Sequence, residues 1–75
     1  MSGKRITTTH ELGALIREAR KRAGLTLAEC AGVNGVGIRF LSELERGKET
    51  AKLGLALRVA ASLGIRLHVS LGGDP

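Results

Sequence analysis

The chain has 75 residues, with 12 Lys and Arg against 7 Asp and Glu, for a formal net charge of +5. That length leaves room for one small domain, and a core drawn from Leu, Ile, Val and Ala, with one Phe and no Trp or Tyr, is a small core. An enzyme with a water-excluding pocket is not expected and self-association is; the surplus of cations points either to a nucleic-acid partner or to a merely basic surface.

Thr8 and Glu11 have the spacing of a capping box and predict a helix start. Leu12, Leu15, Ile16, Ala19 and Ala23 follow as an apolar helical stripe. Arg17, Arg20, Lys21 and Arg22 lie in the later turns, where cations suit the helix dipole, and Gly24 supplies the stop. Thr26 offers a second N-cap, for a short helix through Leu27, Ala28, Glu29, Cys30 and Ala31 towards Val33 that Asn34-Gly35 breaks. A third helix is predicted from Ile38 to Arg46, ended by Gly47. After Lys48-Glu49-Thr50 a fourth carries Leu53, Ala56, Leu57, Ala60 and Leu63 and ends at Gly64. Gly13 and Gly54 fall inside helical patterns, at roughly 1 kcal/mol each against Ala; close helix approach is the one reason the sequence offers for them.

From Ile65 the period changes. Ile65, Leu67, Val69 and Leu71 alternate with Arg66, His68 and Ser70, the pattern of a strand buried on one face. No second strand is evident, so this one must pair with a copy of itself or augment a partner. The expected organisation is one domain over residues 1–75, with a helical core at 8–64, a strand at 65–71 and a frayed tail at 72–75. Cys30 is the only cysteine, so an internal disulfide is excluded, and it is expected to be a small core residue. His10 and His68 have no ligand-like neighbours, so neither a metal nor a cofactor is expected. No segment reads as a signal peptide or a membrane span, which makes a cytoplasmic protein the expectation.

Two short helices joined through Asn34-Gly35-Val36-Gly37 after a longer one make a candidate helix-turn-helix. At about 100° per residue, Phe40, Leu41 and Leu44 share one face of the second short helix. Arg39, Ser42, Glu43 and Arg46 share the opposite face, a polar ridge able to enter a major groove. Arg39 and Glu43 stand four apart, so they can equally pair with each other on a solvated surface.

From Leu12 to about Gly64 the chain resembles the phage-repressor (Xre-type) helix-turn-helix family. The resemblance is carried by Leu12-Gly13, Ile16-Arg17, Arg20-Lys21, Gly24-Leu25-Thr26, Ala31, Gly35-Val36, Leu57 and Leu63-Gly64, and above all by Leu41-Ser42-Glu43-Leu44-Glu45-Arg46-Gly47-Lys48. Within the family, the run from Phe40 to Lys48 with a terminal strand looks most like HipB-like antitoxins. The resemblance implies an all-α, four-helix, lambda-repressor-like fold whose C-terminal strand pairs across a homodimer through Ile65, Leu67, Val69 and Leu71. It places Ile38, Arg39, Ser42 and Glu43 where the family reads bases. Thr26 and Arg46-Gly47-Lys48 fall where the family holds phosphates, and Thr50 and Lys52 extend that rim. Arg20 and Glu45 match a structural ion pair.

The function so implied is non-enzymatic: a sequence-specific regulator of transcription bound to a palindromic double-stranded operator. It would also be the antitoxin and autorepressor of an operon encoding a HipA-like kinase toxin. The alternatives are a stand-alone phage-type repressor and a toxin-neutralising interaction module with weak DNA binding. Three positions depart from the family pattern. Leu27 replaces a phosphate-anchoring Gln, Gly37 replaces the Ser or Thr cap of the recognition helix, and Ile38 is commonly polar.

Overall fold

Local chemistry marks two of the helix starts and all four stops in the computed structural model, which describes residues 3–72. The helices are α1 (Thr9–Arg22), α2 (Leu27–Asn34), α3 (Ile38–Glu45) and α4 (Leu53–Ser62). α1 and α2 each begin with a complete capping box, Thr8 with Glu11 and Thr26 with Glu29, which satisfies amide donors that the helix cannot. α3 and α4 begin at Gly37 and Lys52 with no side-chain cap.

All four helices end the same way. A glycine in the left-handed region follows each: Gly24, Gly35, Gly47 and Gly64. The next residue's amide then reaches back to a carbonyl of the last turn, as Leu25 does to Arg20, Val36 to Ala31, Lys48 to Glu43 and Ile65 to Ala60. After α1, α2 and α4 that residue is apolar, and Leu25, Val36 and Ile65 pack against the core. After α3 it is Lys48, which is exposed. The same turn that tucks a hydrophobe inward at three helix ends leaves a cation at the surface at the fourth.

Ile16, Cys30, Ala31, Leu41, Leu44, Ala56 and Val59 form the core, and Ile16, Leu41 and Val59 have no exposed surface at all. α3 packs against α1 and α2, and α4 packs against α2. The α1–α3 crossing is close because position 13 is glycine. A Cβ there would fall on the carbonyl oxygen of Leu44 and lie 2.7 Å from that of Glu45. Gly54 has no such role, since a Cβ added there meets nothing within 4 Å.

One expectation needs correction and another is left open. In α4 the inward stripe is Ala56, Val59 and Ala60, whereas Leu53 is 67% exposed and Leu57 is also exposed. Both stripes obey a helical period, and the one containing Val59 faces α2. In the described residues, 65–71 form no strand; only Ile65 packs on the core, and Leu67, Val69 and Leu71 are 49%, 88% and 73% exposed. A strand is defined by its hydrogen-bonded neighbour, and one chain supplies none. Of the expected frayed tail, residues 73–75 lie outside the described residues.

Candidate nucleic-acid interface

α2 and α3 are joined by Gly35-Val36-Gly37, a three-residue turn of the helix-turn-helix type. Leu41 and Leu44 anchor α3 in the core and half-buried Phe40 flanks them. The opposite face is polar. Arg39 is exposed, Ser42 and Glu43 are half-exposed, and Ile38 at the first turn is 53% exposed. The four residues expected to meet bases therefore share the accessible side of one helix.

Glu43 organises that side. Its Oε1 accepts from Lys48 Nζ at 3.1 Å, and its Oε2 lies 3.6 Å from Arg39 Nε. The Lys48 hydrogen bond, helped by the Arg39 charge, holds the Glu43 carboxyl below the usual carboxylate range. The i, i+4 pairing that the sequence allowed is thus present, and Lys48 joins it because the Gly47 turn brings the chain back over the end of α3.

The residues expected to hold phosphates differ in what they still have to offer. Arg46 is exposed and has no ion-pair partner among the described residues. A groove of about 430 Å³ runs between the turn and the loop after α3, lined by Gly37, Phe40, Glu43, Lys48, Thr50 and Lys52 among others. Thr26 is exposed, and its oxygen accepts from the Glu29 amide while its own amide donates to Glu29 Oε1, leaving the hydroxyl proton to give. Gly47 stands apart. Its carbonyl accepts from Thr9 Oγ1 at 2.7 Å, its amide donates to Leu44, and a Cβ there would lie 2.7 Å from His10 Cα. It shapes the loop and has no spare donor.

Behind this face lies the support. Arg20 Nε and Nη2 donate to the two Glu45 carboxylate oxygens at 2.6 and 3.0 Å, with 9% and 6% of the side chains exposed. Arg20 Nη1 also donates to the Leu25 carbonyl at 2.8 Å. The pair ties α1 to the last turn of α3 and both to the start of α2.

A second support was not foreseen. Buried Asn34 donates through Nδ2 to the Cys30 carbonyl and to Ser62 Oγ, each at 3.0 Å, and Arg58 Nη2 donates to the Asn34 carbonyl at 2.7 Å. α4 is thereby tied to the end of α2, next to the turn. Asn34-Gly35 signals a helix end in the sequence, but nothing in it discloses that partners 24 and 28 residues later close on that end. Burial pushes the Cys30 thiol above its ordinary pKa, consistent with a packing role. Among the described residues no three His, Cys, Asp or Glu gather as a metal site, and no helix is long and apolar enough to cross a membrane.

A three-helix turn-containing unit with a polar, cation-rimmed third helix defines a DNA-binding module of the helix-turn-helix class. Comparison with known proteins agrees. A helix-turn-helix domain family matches residues 11–68. The HTH-type transcriptional regulator y4mF of Sinorhizobium fredii is 45% identical over 95% of this chain and 93% of its own length. An HTH-type transcriptional regulator of Methanothermobacter thermautotrophicus is 46% identical over 73% of this chain and 78% of its own. Among solved structures, a HipB point variant in complex with an O2 20mer superposes with a TM-score of 0.82 at 21% identity, covering 95% of this chain and 99% of that one. HipB in a HipA–HipB–O2–O3 complex gives 0.82 at 18% identity over 93% and 99%. The chain belongs to the Xre-type helix-turn-helix family of transcriptional regulators and has the HipB-like fold.

Proposed function

We propose that this regulator binds a palindromic operator as a homodimer, with α3 of each subunit in successive major grooves about 34–36 Å apart. Arg39 donates in pairs to guanine, Glu43 accepts from the cytosine amino group, Ile38 meets a thymine methyl and Ser42 bonds a base edge. Arg46, Lys48, Thr50 and Lys52, with the Thr26 hydroxyl, hold phosphates and set the register. Gly47 acts indirectly, by turning Lys48 outward. The observation that carries this reading is the sidedness of α3, core-anchored by Leu41 and Leu44 and presenting Arg39, Ser42 and Glu43 opposite.

Homodimerisation rests on the tail. Leu67, Val69 and Leu71 are apolar, alternating and exposed in the single chain, and pairing with a second copy would supply the missing strand neighbour. A chain ending at Gly64 should run as a monomer and melt lower; unchanged mass and melting temperature would contradict the pairing.

The finer role we propose is antitoxin and autorepressor beside a HipA-like kinase toxin. Its support is fold likeness to HipB, which has been solved with an O2 20mer and in a HipA–HipB–O2–O3 complex. A stand-alone repressor is the second reading, favoured by relatives named simply as transcriptional regulators. Co-expression with the product of the neighbouring gene separates them: a stable complex that silences a growth-arresting kinase supports the antitoxin, and its absence supports the repressor.

A further inference from the structure

Acids are unusual on a surface meant for DNA, and the half-exposed Glu43 sits in the middle of this one. A carboxylate facing phosphates is repelled by them, so its presence needs a reason beyond solubility. Its two partners are the cations given separate tasks above, Arg39 for a base and Lys48 for a phosphate. The partners also differ in exposure: the Arg39 side chain is 91% exposed and reaches into solvent, whereas Glu43 is only 25% exposed and lies between its two cations. Elsewhere Glu18 has a similar arrangement, between Lys4 and Arg22, and it lines a groove beside Arg20's partner Glu45 rather than the one beside the turn. The Glu43 cluster borders the groove between the turn and the loop after α3, which Glu18 does not line.

We propose that Glu43 is a specificity-determining counter-ion: it competes with DNA phosphate for Arg39 and Lys48, and so penalises any duplex that does not offer it a base amino group in exchange. The proposal rests on the α3 reading above and deepens it. On random DNA, Lys48 can reach a phosphate only by leaving Glu43, and the carboxylate left behind faces the polyanion without a partner. On the operator, a cytosine amino group takes up Glu43 while Arg39 moves to guanine, so both charges are satisfied. Discrimination then comes from a penalty on wrong sequences as much as from attraction to the right one. The lowered carboxyl pKa has the same source, the Lys48 hydrogen bond first and the Arg39 charge after it.

The test is E43Q, which keeps the shape and removes the charge, measured by fluorescence anisotropy on random duplex and on selected operator over a salt series. Binding to random duplex should tighten by roughly three- to tenfold, with the log K versus log salt slope steeper by about one unit. Operator binding should not tighten, so the operator-to-random ratio falls. In the K48Q background the gain on random duplex should shrink, because the competed cation is gone. Random-duplex binding unchanged by E43Q, or equal tightening on both duplexes, would overturn the proposal. So would an undiminished gain in K48Q, which would make Glu43 a plain repulsive charge. If wild type shows no operator preference, the base-reading proposal fails, while the random-duplex and K48Q arms still decide whether Glu43 competes for Lys48. The free protein gives an independent readout: the Glu43 carboxyl should titrate closer to its ordinary value in K48Q than in wild type, and an unchanged titration would also count against the clamp.

Discussion

Glu43 and Glu45 stand two residues apart on α3, both paired with arginine, and the protein uses them oppositely. Two residues turn the helix by about 200°, so the carboxylates face different surroundings. Glu45 meets Arg20 in a forked, two-bond contact from which water is nearly absent. Glu43 meets Arg39 and Lys48 at longer distances in partial solvent. A dry ion pair with matched hydrogen bonds fixes geometry and is costly to break, whereas a wet one exchanges partners readily. One helix therefore has a locked face towards the core and a solvated, loosely paired face on the other side.

The largest effect should come from breaking the dry pair. Glu45→Ala strands the Arg20 guanidinium in the interior and should destabilise the protein by about 3–5 kcal/mol, a large share of what so small a domain holds. Urea denaturation of Glu43→Ala should leave the midpoint almost unchanged. Comparable losses in the two variants would erase the contrast. Next is Gly13→Ala, whose methyl would press into the Leu44 and Glu45 carbonyls at the same seam and should cost about 1–3 kcal/mol by thermal melting.

Much of this was legible in the sequence. The capping Thr8 and Thr26 and the glycine stops mark helix ends because their chemistry is local. The α3 wheel is legible because Leu41 and Leu44 on one side and Arg39 and Glu43 on the other separate cleanly. The α4 stripe was not, since Leu53-Leu57 and Ala56-Val59-Ala60 both have helical spacing and only contact with α2 selects the second. The Asn34–Ser62–Arg58 tie was hidden for the same tertiary reason. The bond from Lys48 to Glu43 spans five residues, beyond the usual helical pairing, and exists because Gly47 turns the chain back. The 65–71 alternation was legible as a pattern only, since no strand neighbour for it exists among the described residues.

On the wet face the expected effects concern binding. Arg39→Ala should weaken operator binding by about 1–3 kcal/mol and relax one position of the site. Lys48→Ala should weaken binding to operator and random duplex both, the operator more because Glu43 has a base partner there, and flatten the salt dependence; an unchanged salt slope would remove its phosphate role. The smallest effect should be that of pH on the caps. Backbone and hydroxyl bonds from Thr7 and Thr8 hold Glu11 below the ordinary carboxylate value of 4.5, and those from Thr26 do the same for Glu29. Lowered folded-state values mean that the caps contribute fully above that value and fade as pH falls through the folded-state values. Melting temperature should drop slightly less with acid in Glu11→Gln, and an identical acid profile would argue against the capping contribution.

The most direct test of the central claim, that the outer face of α3 reads sequence, is selection of bound duplexes from a random pool with wild type and Arg39→Ala in parallel. The account predicts a two-fold symmetric consensus for wild type, with half-site centres about 10–10.5 base pairs apart, and loss of preference at one symmetric guanine position in Arg39→Ala. No enrichment in wild type, or the same consensus from both proteins, would contradict it.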